Sequence, residues 1–141
     1  MPITYRFDRD SATLQSKATG VMTMADLLEY LGEVVADPDI GPEFVELVDF
    51  AGIVDLKISY SELDPLTAVW QRYIEKGCLA TVVLATRDMP FGIARMMQMV
   101  ITSCEEGGVA GFIVTRTPEE ARTAIEQAFA ASTSSNAHPM G

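Results

Sequence analysis

Few side chains in this sequence are of the kinds that move protons, hold metals or attack carbon centres, and those few are scattered. The single histidine, His138, stands near the C-terminus in a Ser/Thr-rich stretch. No histidine-based triad or metal centre can be assembled in a core from it, which removes the commonest general base and the commonest transition-metal ligand together. The two cysteines, Cys78 and Cys104, match no CxxC or ligand spacing. They are expected to be small core residues in a reducing compartment. No phosphate-binding glycine loop occurs, and Gly92 and Gly107-Gly108 read as helix-end punctuation.

The remaining polar candidates gather where strands are expected to end, which is where open α/β sheets collect ligands. Asp49, Thr86, Arg87, Asp88 and Arg116 are the groups there. Asp49 follows the apolar run Phe44 to Val48 and can receive backbone donors from the next loop, or hold Mg²⁺ with Asp88 or Asp55. The plainer role for all of them is loop polarity and helix capping. Arg95 falls on the first turns of a helix, where a cation opposes the macrodipole by roughly a few tenths of a kcal/mol. It is expected to pair with Asp88 or another carboxylate, or else to await an anion. Met89, Phe91 and Met99 lie off that helix's main apolar stripe and suit either a binding groove, a dimer seam or the plugged end of a core. An enzyme built on Asp49 with Arg87 or Asp88 lacks a nucleophile–base pair, so neither catalysis, a cofactor nor a metal is expected.

Composition narrows the partners. The chain has 141 residues, 48% hydrophobic and 21% charged, with a formal net charge of -10. Its length is that of one domain burying about two thirds of its unfolded surface. The acidic field repels phosphate backbones and anionic headgroups, so nucleic acid and membrane surfaces are poor partners. The N-terminus lacks a signal-peptide core and no apolar run is long enough to span a bilayer, which makes the cytoplasm the expected location.

The elements that must position these residues are read from periodicity and punctuation. Ile3 to Asp8 and Ala12 to Ala18 are strands of a hairpin joined by Arg9-Asp10-Ser11, the second ended by Gly20. Thr23 with Asp26 opens a helix with the stripe Met24, Leu27, Leu28, Leu31, Val34 and Val35, stopping at Asp37-Pro38. Glu43 to Phe50 is a strand, and Ala51 to Tyr60 an irregular link in which Leu56 to Ser59 can form a short extended piece. A helix capped near Ser61 or Asp64-Pro65 runs to Gly77. The apolar strand Leu79 to Ala85 feeds a helix with the stripe Ile93, Met96, Met97, Val100, Ile101 and Cys104. Val109 to Thr115 is the last strand, and Thr117-Pro118-Glu119-Glu120 caps the last helix. The expected fold is α/β: a mixed, mostly parallel sheet with an N-terminal antiparallel edge strand, flanked by about four helices. Residues 1–130 form one domain and 131–141 a flexible tail.

The element order, the strand end Asp49-Phe50-Ala51-Gly52, the helix start Phe91-Gly92-Ile93-Ala94-Arg95-Met96 and the final helix start Thr117-Pro118-Glu119-Glu120-Ala121 resemble the SpoIIAA-like proteins of the STAS/SEC14-like α/β group. The resemblance covers nearly the whole domain, from Ile3 to Phe129, and implies two functional traditions. Its anti-sigma-factor antagonist branch is a protein-binding switch phosphorylated on a serine at the start of the helix after the third strand. Ser59 and Ser61 stand at that place and are the candidate phosphoacceptors, phosphate being favoured at a helix N-terminus. The branch's Asp-Ser-Ser-Gly-like loop is replaced here by the bulky link Ile53 to Ile58, and the plainer role of Ser61 is an N-cap. The SEC14-like branch binds lipids or other apolar ligands, for which Phe91, Met89, Met96, Met99, Trp70 and Tyr73 are suitable lining. The resemblance therefore implies a non-enzymatic cytoplasmic regulatory or protein-interaction module, self-associating as a dimer through an apolar helix surface. The alternative is a small apolar-ligand or lipid carrier. In either case Asp49, Arg87, Asp88, Met89, Phe91, Arg95 and Met99 form the expected ligand or partner surface.

Overall fold

A computed structural model describes residues 2–103 and 111–137; Cys104, Gly107-Gly108 and His138 lie outside the described residues. The hairpin forms as its short polar link predicts. Strand β1 (Ile3–Asp8) runs antiparallel to β2 (Thr13–Thr23), with Ile3 opposite Ala18 and Asp8 opposite Thr13. Asp8 Oδ1 accepts the Asp10 N–H at 3.0 Å within the turn.

Helix α1 (Met24–Ala36) starts on the capping box anticipated from Thr23 and Asp26. Each of the two reaches the other's backbone, which satisfies donors that a helix start leaves free. Tyr5 donates to Asp37 Oδ2 at 2.9 Å, and Lys76 Nζ to the Asp37 carbonyl at 2.8 Å, so the end of α1 is tied to its neighbours.

The largest departure from the sequence reading is in β2 and β3. Strand β3 spans Phe44–Lys57, and β2 continues through Gly20 to Thr23. Most of the stretch read as an irregular link is therefore strand. Ile53 and Leu56 pair beside Gly20 and Met22 and are buried, which repays extending the ribbon. Two register slips absorb the surplus residues of β3 as bulges. The pairing skips Val54, whose side chain is 70% exposed. A Cβ at Gly52 would stand 2.8 Å from the Thr19 side chain and 3.2 Å from the Ala18 carbonyl, so a larger residue there would have to displace its neighbour in the ribbon.

A short 3-10 turn (Tyr60–Glu62) leads to α2 (Pro65–Lys76). Neither predicted cap operates as expected. Ser61 lies inside the 3-10 turn, and Asp64 occupies the N-cap position without a side-chain cap bond, leaving Pro65 to start the helix. Gly77 closes α2 at φ 107, with Pro42 and Glu43 backbone atoms where a Cβ would fall.

Strand β4 (Cys78–Leu84), helix α3 (Asp88–Ser103), strand β5 (Gly111–Thr115) and helix α4 (Pro118–Ala137) complete the chain. The last helix passes the expected end at Ala130, since neither glycine nor proline interrupts it before Pro139. The start expected of the tail at residue 131 thus falls within the helix.

The five strands lie in the order β1-β2-β3-β4-β5, and β2 to β5 are mutually parallel. The sheet is the mixed one expected, with its antiparallel strand at one edge. Crossovers of one hand between sequential neighbours put α1, α2 and α3 together on one face. Helix α4 follows the last strand and covers β3, β4 and β5 from the other face. Alternation along β3 then sends Phe44, Glu46 and Val48 towards α1–α3, and Val45 and Leu47 towards α4.

Candidate functional site

An acid lies at the centre of the α1–α3 face. Glu46 sits on β3, the middle strand of five, and is 1% exposed. Three elements supply hydroxyls to it directly, and a fourth acts through one of them. Tyr73 from α2 donates to Oε2 at 2.9 Å, and Thr81 from β4 donates to Oε1 at 2.9 Å. Tyr30 from α1 also donates to Oε2, and its own oxygen accepts from Ser16 on β2. Each hydroxyl has one proton, so this chain of donors ends on the carboxylate. Burial raises the Glu46 pKa, while the three hydroxyl donors pull it back. Burial beside that acid pushes both tyrosine phenols well above their ordinary range. The Cys78 thiol, 3.8 Å from Thr81 Oγ1, is likewise pushed up and is a poor nucleophile.

A cavity of about 50 Å³ lies over this cluster, between the three helices and the sheet. Leu66 and Trp70 of α2, Val83 of β4, Met97 of α3 and Phe112 of β5 wall it, with Glu46 and the two tyrosines also in its lining. Trp70 stacks on Tyr73 at 6.2 Å between ring centroids and meets Phe112 edge-on at 5.9 Å. Trp70 and Tyr73 thus line an apolar cleft, as the sequence suggests. Phe91, Met89, Met96 and Met99 do not line it; the methionine that does is Met97, on the buried stripe. Sequence reasoning passes over Glu46 and Tyr30 altogether. The available signal was one acid inside the apolar run Phe44 to Val48.

The residues expected at the sheet crest come together only in part. Asp88 pairs with Arg116 at 2.8 Å, and Arg116 also donates to the Thr86 carbonyl at 3.2 Å. Its guanidinium lies 4.5 Å over the Phe91 ring. Asp88, Phe91 and Arg116 therefore form one cluster, joining the starts of α3 and α4. The Asp88 carboxylate goes to Arg116 rather than to Arg95, the partner considered from sequence. Arg87 and Arg95 are exposed, as are Met89 (39%) and Met99 (61%). Asp49 does not join them. Its Oδ1 accepts the Ala51 N–H at 2.8 Å, and the side chain borders an open groove with Arg6, Gln15 and Lys17 on the α4 side of the sheet. Among the described residues, no three acidic, histidine or cysteine side chains are grouped as cation ligands.

Ser59 and Ser61 are both exposed at the 3-10 turn, with their hydroxyls 3.1 Å apart. Glu62 Oε1 accepts from the Ser59 hydroxyl at 2.8 Å and from its N–H at 2.9 Å. That backbone bond first, then the hydroxyl, lowers the Glu62 pKa.

No protein-family model matches the chain, and no curated protein matches it. Among solved structures it is similar to an uncharacterized protein of the DUF3478 family with a SpoIIAA-like fold from Shewanella loihica PV-4. The TM-score is 0.54 and the identity 17%, over 87% of this chain and 93% of that one. The fold is SpoIIAA-like. It is also similar to an anti-sigma factor antagonist from Mycobacterium paratuberculosis, with a TM-score of 0.50 and 19% identity over 88% of this chain and 94% of that one. At these identities the likeness is one of fold. On this SpoIIAA-like scaffold the Glu46 cluster lies beneath α1 and α2, whereas the Asp88–Arg116 cluster stands at the exposed start of α3. Among the described residues no helix is long and apolar enough to cross a membrane.

Proposed function

We propose that the chain is a non-enzymatic regulatory module of the STAS type, acting in the cytoplasm by binding a protein or a second copy of itself. The observation that carries this reading is the exposed side of α3 on a SpoIIAA-like scaffold. Met89 and Met99 are two of four large exposed apolar side chains among the described residues. Phe91 lies at the same end of α3 as Met89, held under Arg116. Methionine surfaces adapt to partners, and the rim of charge around them, from Arg87, Asp88 and Arg95, suits a specific interface. Asp49 lies apart, so its place in that surface requires a partner reaching round the sheet edge.

Self-association is tested by sedimentation of the parent and of Phe91→Asp and Met99→Asp. The expected result is a dimeric parent and folded monomeric variants, since a charge in an apolar seam is left unpaired. Two variants that keep the parent's oligomeric state would put the seam elsewhere.

Ser59 and Ser61 are the proposed phosphoacceptors. A phosphate on Ser59 would meet the Glu62 carboxylate that its hydroxyl now contacts, so modification would open the turn ahead of α2 by like-charge repulsion.

The cavity supports a second reading, a carrier of small apolar ligands. Its volume limits that reading. At about 10–15 Å³ for each water-sized occupant, a 50 Å³ space holds a few heavy atoms and not a lipid tail. Carriage of a fatty-acid-like molecule would need α1, α2 and α3 to part. Thermal stabilisation by such molecules is its test, and no shift across a broad panel would remove it.

A further inference from the structure

The outward stripe of α3 carries a residue that the chain's own packing does not use. Up to Ile101, the exposed residues of the helix are Asp88, Met89, Gly92, Arg95 and Met99, which fall on one line at three- and four-residue spacing. Gly92, read from the sequence as helix-end punctuation, lies inside the helix without a positive φ. A Cβ there would meet nothing within 4 Å. Glycine is the poorest helix former after proline, so this position weakens α3 and gains nothing within the fold. Gly32 of α1 is as open, but it stands by Glu29 and Glu33 on a charged, exposed face. Gly92 stands between Met89 and Met99, where a missing Cβ lets a second backbone come close.

The charges about Gly92 complement themselves. Arg95 lies three residues after it and Asp88 four residues before it, about 4.5 Å and about 6 Å along the axis in opposite directions. When two α3 helices cross antiparallel at Gly92, Arg95 of each comes level with Asp88 of the other to within about 1.5 Å. Among the described residues Arg95 forms no ion pair. Asp88 meets Arg116 through Oδ1, which leaves Oδ2 to accept from a second arginine.

We infer that the occupant of this surface is a second copy of the chain, seated two-fold with the α3 helices antiparallel and crossing at Gly92, and held by two Arg95–Asp88 pairs. The inference rests on the protein-binding reading of α3 and gives that seam its occupant and register. The two-fold axis makes every contact occur twice. Met89 of each copy then lies beside Arg95 of the other, and Met99 falls level with the turn ahead of the other's α3. An unrelated helix would not require an acid and a base set at matching distances on either side of the glycine.

Charge reversal tests the register by sedimentation of the whole chain. Arg95→Glu sets an acid against Asp88 at both pairs, and Asp88→Lys sets a base against Arg95 at both. Each variant alone should dissociate at least tenfold more readily than the parent. Their equimolar mixture should recover the dimer as a heterodimer, because one reversed pair and one native pair then both attract. Gly92→Leu, for which the chain itself has room, should keep the fold and also dissociate at least tenfold more readily. A mixture that stays monomeric, or a dimer indifferent to Gly92→Leu, would overturn this register, and the α3 seam would still stand if Phe91→Asp and Met99→Asp dissociate the parent. A dimeric parent that none of these substitutions dissociates would put the seam off α3 and remove both readings. A parent that is monomeric throughout would remove the second copy as the occupant.

Discussion

The two faces of the sheet are made from the same strands and differ in kind. Towards α4, Val45, Ala80 and Val82 meet Ala121 and Ala124 in an aliphatic layer that holds no buried charge, its buried polar side chains being the hydroxyls of Thr13 and Thr115. One residue along each strand, on the α1–α3 face, Glu46 and Thr81 replace the expected aliphatic pair and draw Ser16, Tyr30 and Tyr73 around them. Apolar layers tolerate sliding and repacking, because any well-filled arrangement satisfies them. A hydroxyl network does not, since every displaced donor is stranded away from water. The α1–α3 face therefore fixes the positions of α1 and α2 on the sheet, and the α4 face supplies burial.

Breaking each face in turn should separate these roles. Glu46→Ala strands the Tyr30, Tyr73 and Thr81 hydroxyls and opens a hole, at a cost of about 4 kcal/mol. Val82→Ala removes two methyl groups from the apolar face and should cost about 2 kcal/mol. Denaturant midpoints at constant slope give both values. Equal losses would mean that the network adds nothing beyond the volume it fills.

The pH dependence sharpens the contrast by its sign. Because burial raises the Glu46 pKa, the folded chain holds that proton more tightly than the unfolded chain. The group's stability contribution is full below the ordinary carboxylate range and declines as pH rises through the raised folded value. Glu46→Gln cannot titrate there, so the parent's stability relative to this variant should be highest in acid and fall as pH rises through the raised folded value. Asp37, at the surface, has the opposite sign. The Asp39 N–H and then the Tyr5 hydroxyl lower its pKa, so its contribution is present above the ordinary carboxylate range and lost in acid. Unfolding of parent, Glu46→Gln and Asp37→Asn across that range distinguishes the two slopes.

The hairpin and the helix boundaries at Thr23 and Gly77 were legible because each depends on local signals: a short polar link, a capping pair, a left-handed stop. The polar cluster was not, for a physical reason. Glu46, Thr81, Tyr30, Tyr73 and Ser16 are brought together only by strand order and helix placement, which periodicity does not encode. An acid in an apolar run signals that partners must exist without naming them. The ribbon past Phe50 was missed similarly, since its strand character depends on pairing with β2 and its bulges interrupt the alternation. At the crest, residue types placed Asp88 and Arg116 at the strand ends, but Asp88 had two basic neighbours to choose from in sequence and a third, Arg116, in space.

That crest pair provides the smallest effect and the cleanest control on the interior. Asp88 and Arg116 stand 2.8 Å apart, against 2.9 Å from Glu46 to Tyr73 and Thr81, yet the Asp88 side chain is 97% exposed. Water screens the pair and replaces the lost partner when one is removed. Arg116→Ala should therefore cost no more than about 1 kcal/mol, part of it from uncovering Phe91, whose ring the guanidinium overlies. Arg116→Lys should recover the ionic part and not the stacked part, because an ammonium lacks the flat guanidinium surface. If Arg116→Ala instead destabilises the chain as much as Glu46→Ala, the start of α3 is held by the crest and not by its buried stripe. The exposed methionines would then sit on a hinge that a partner can move.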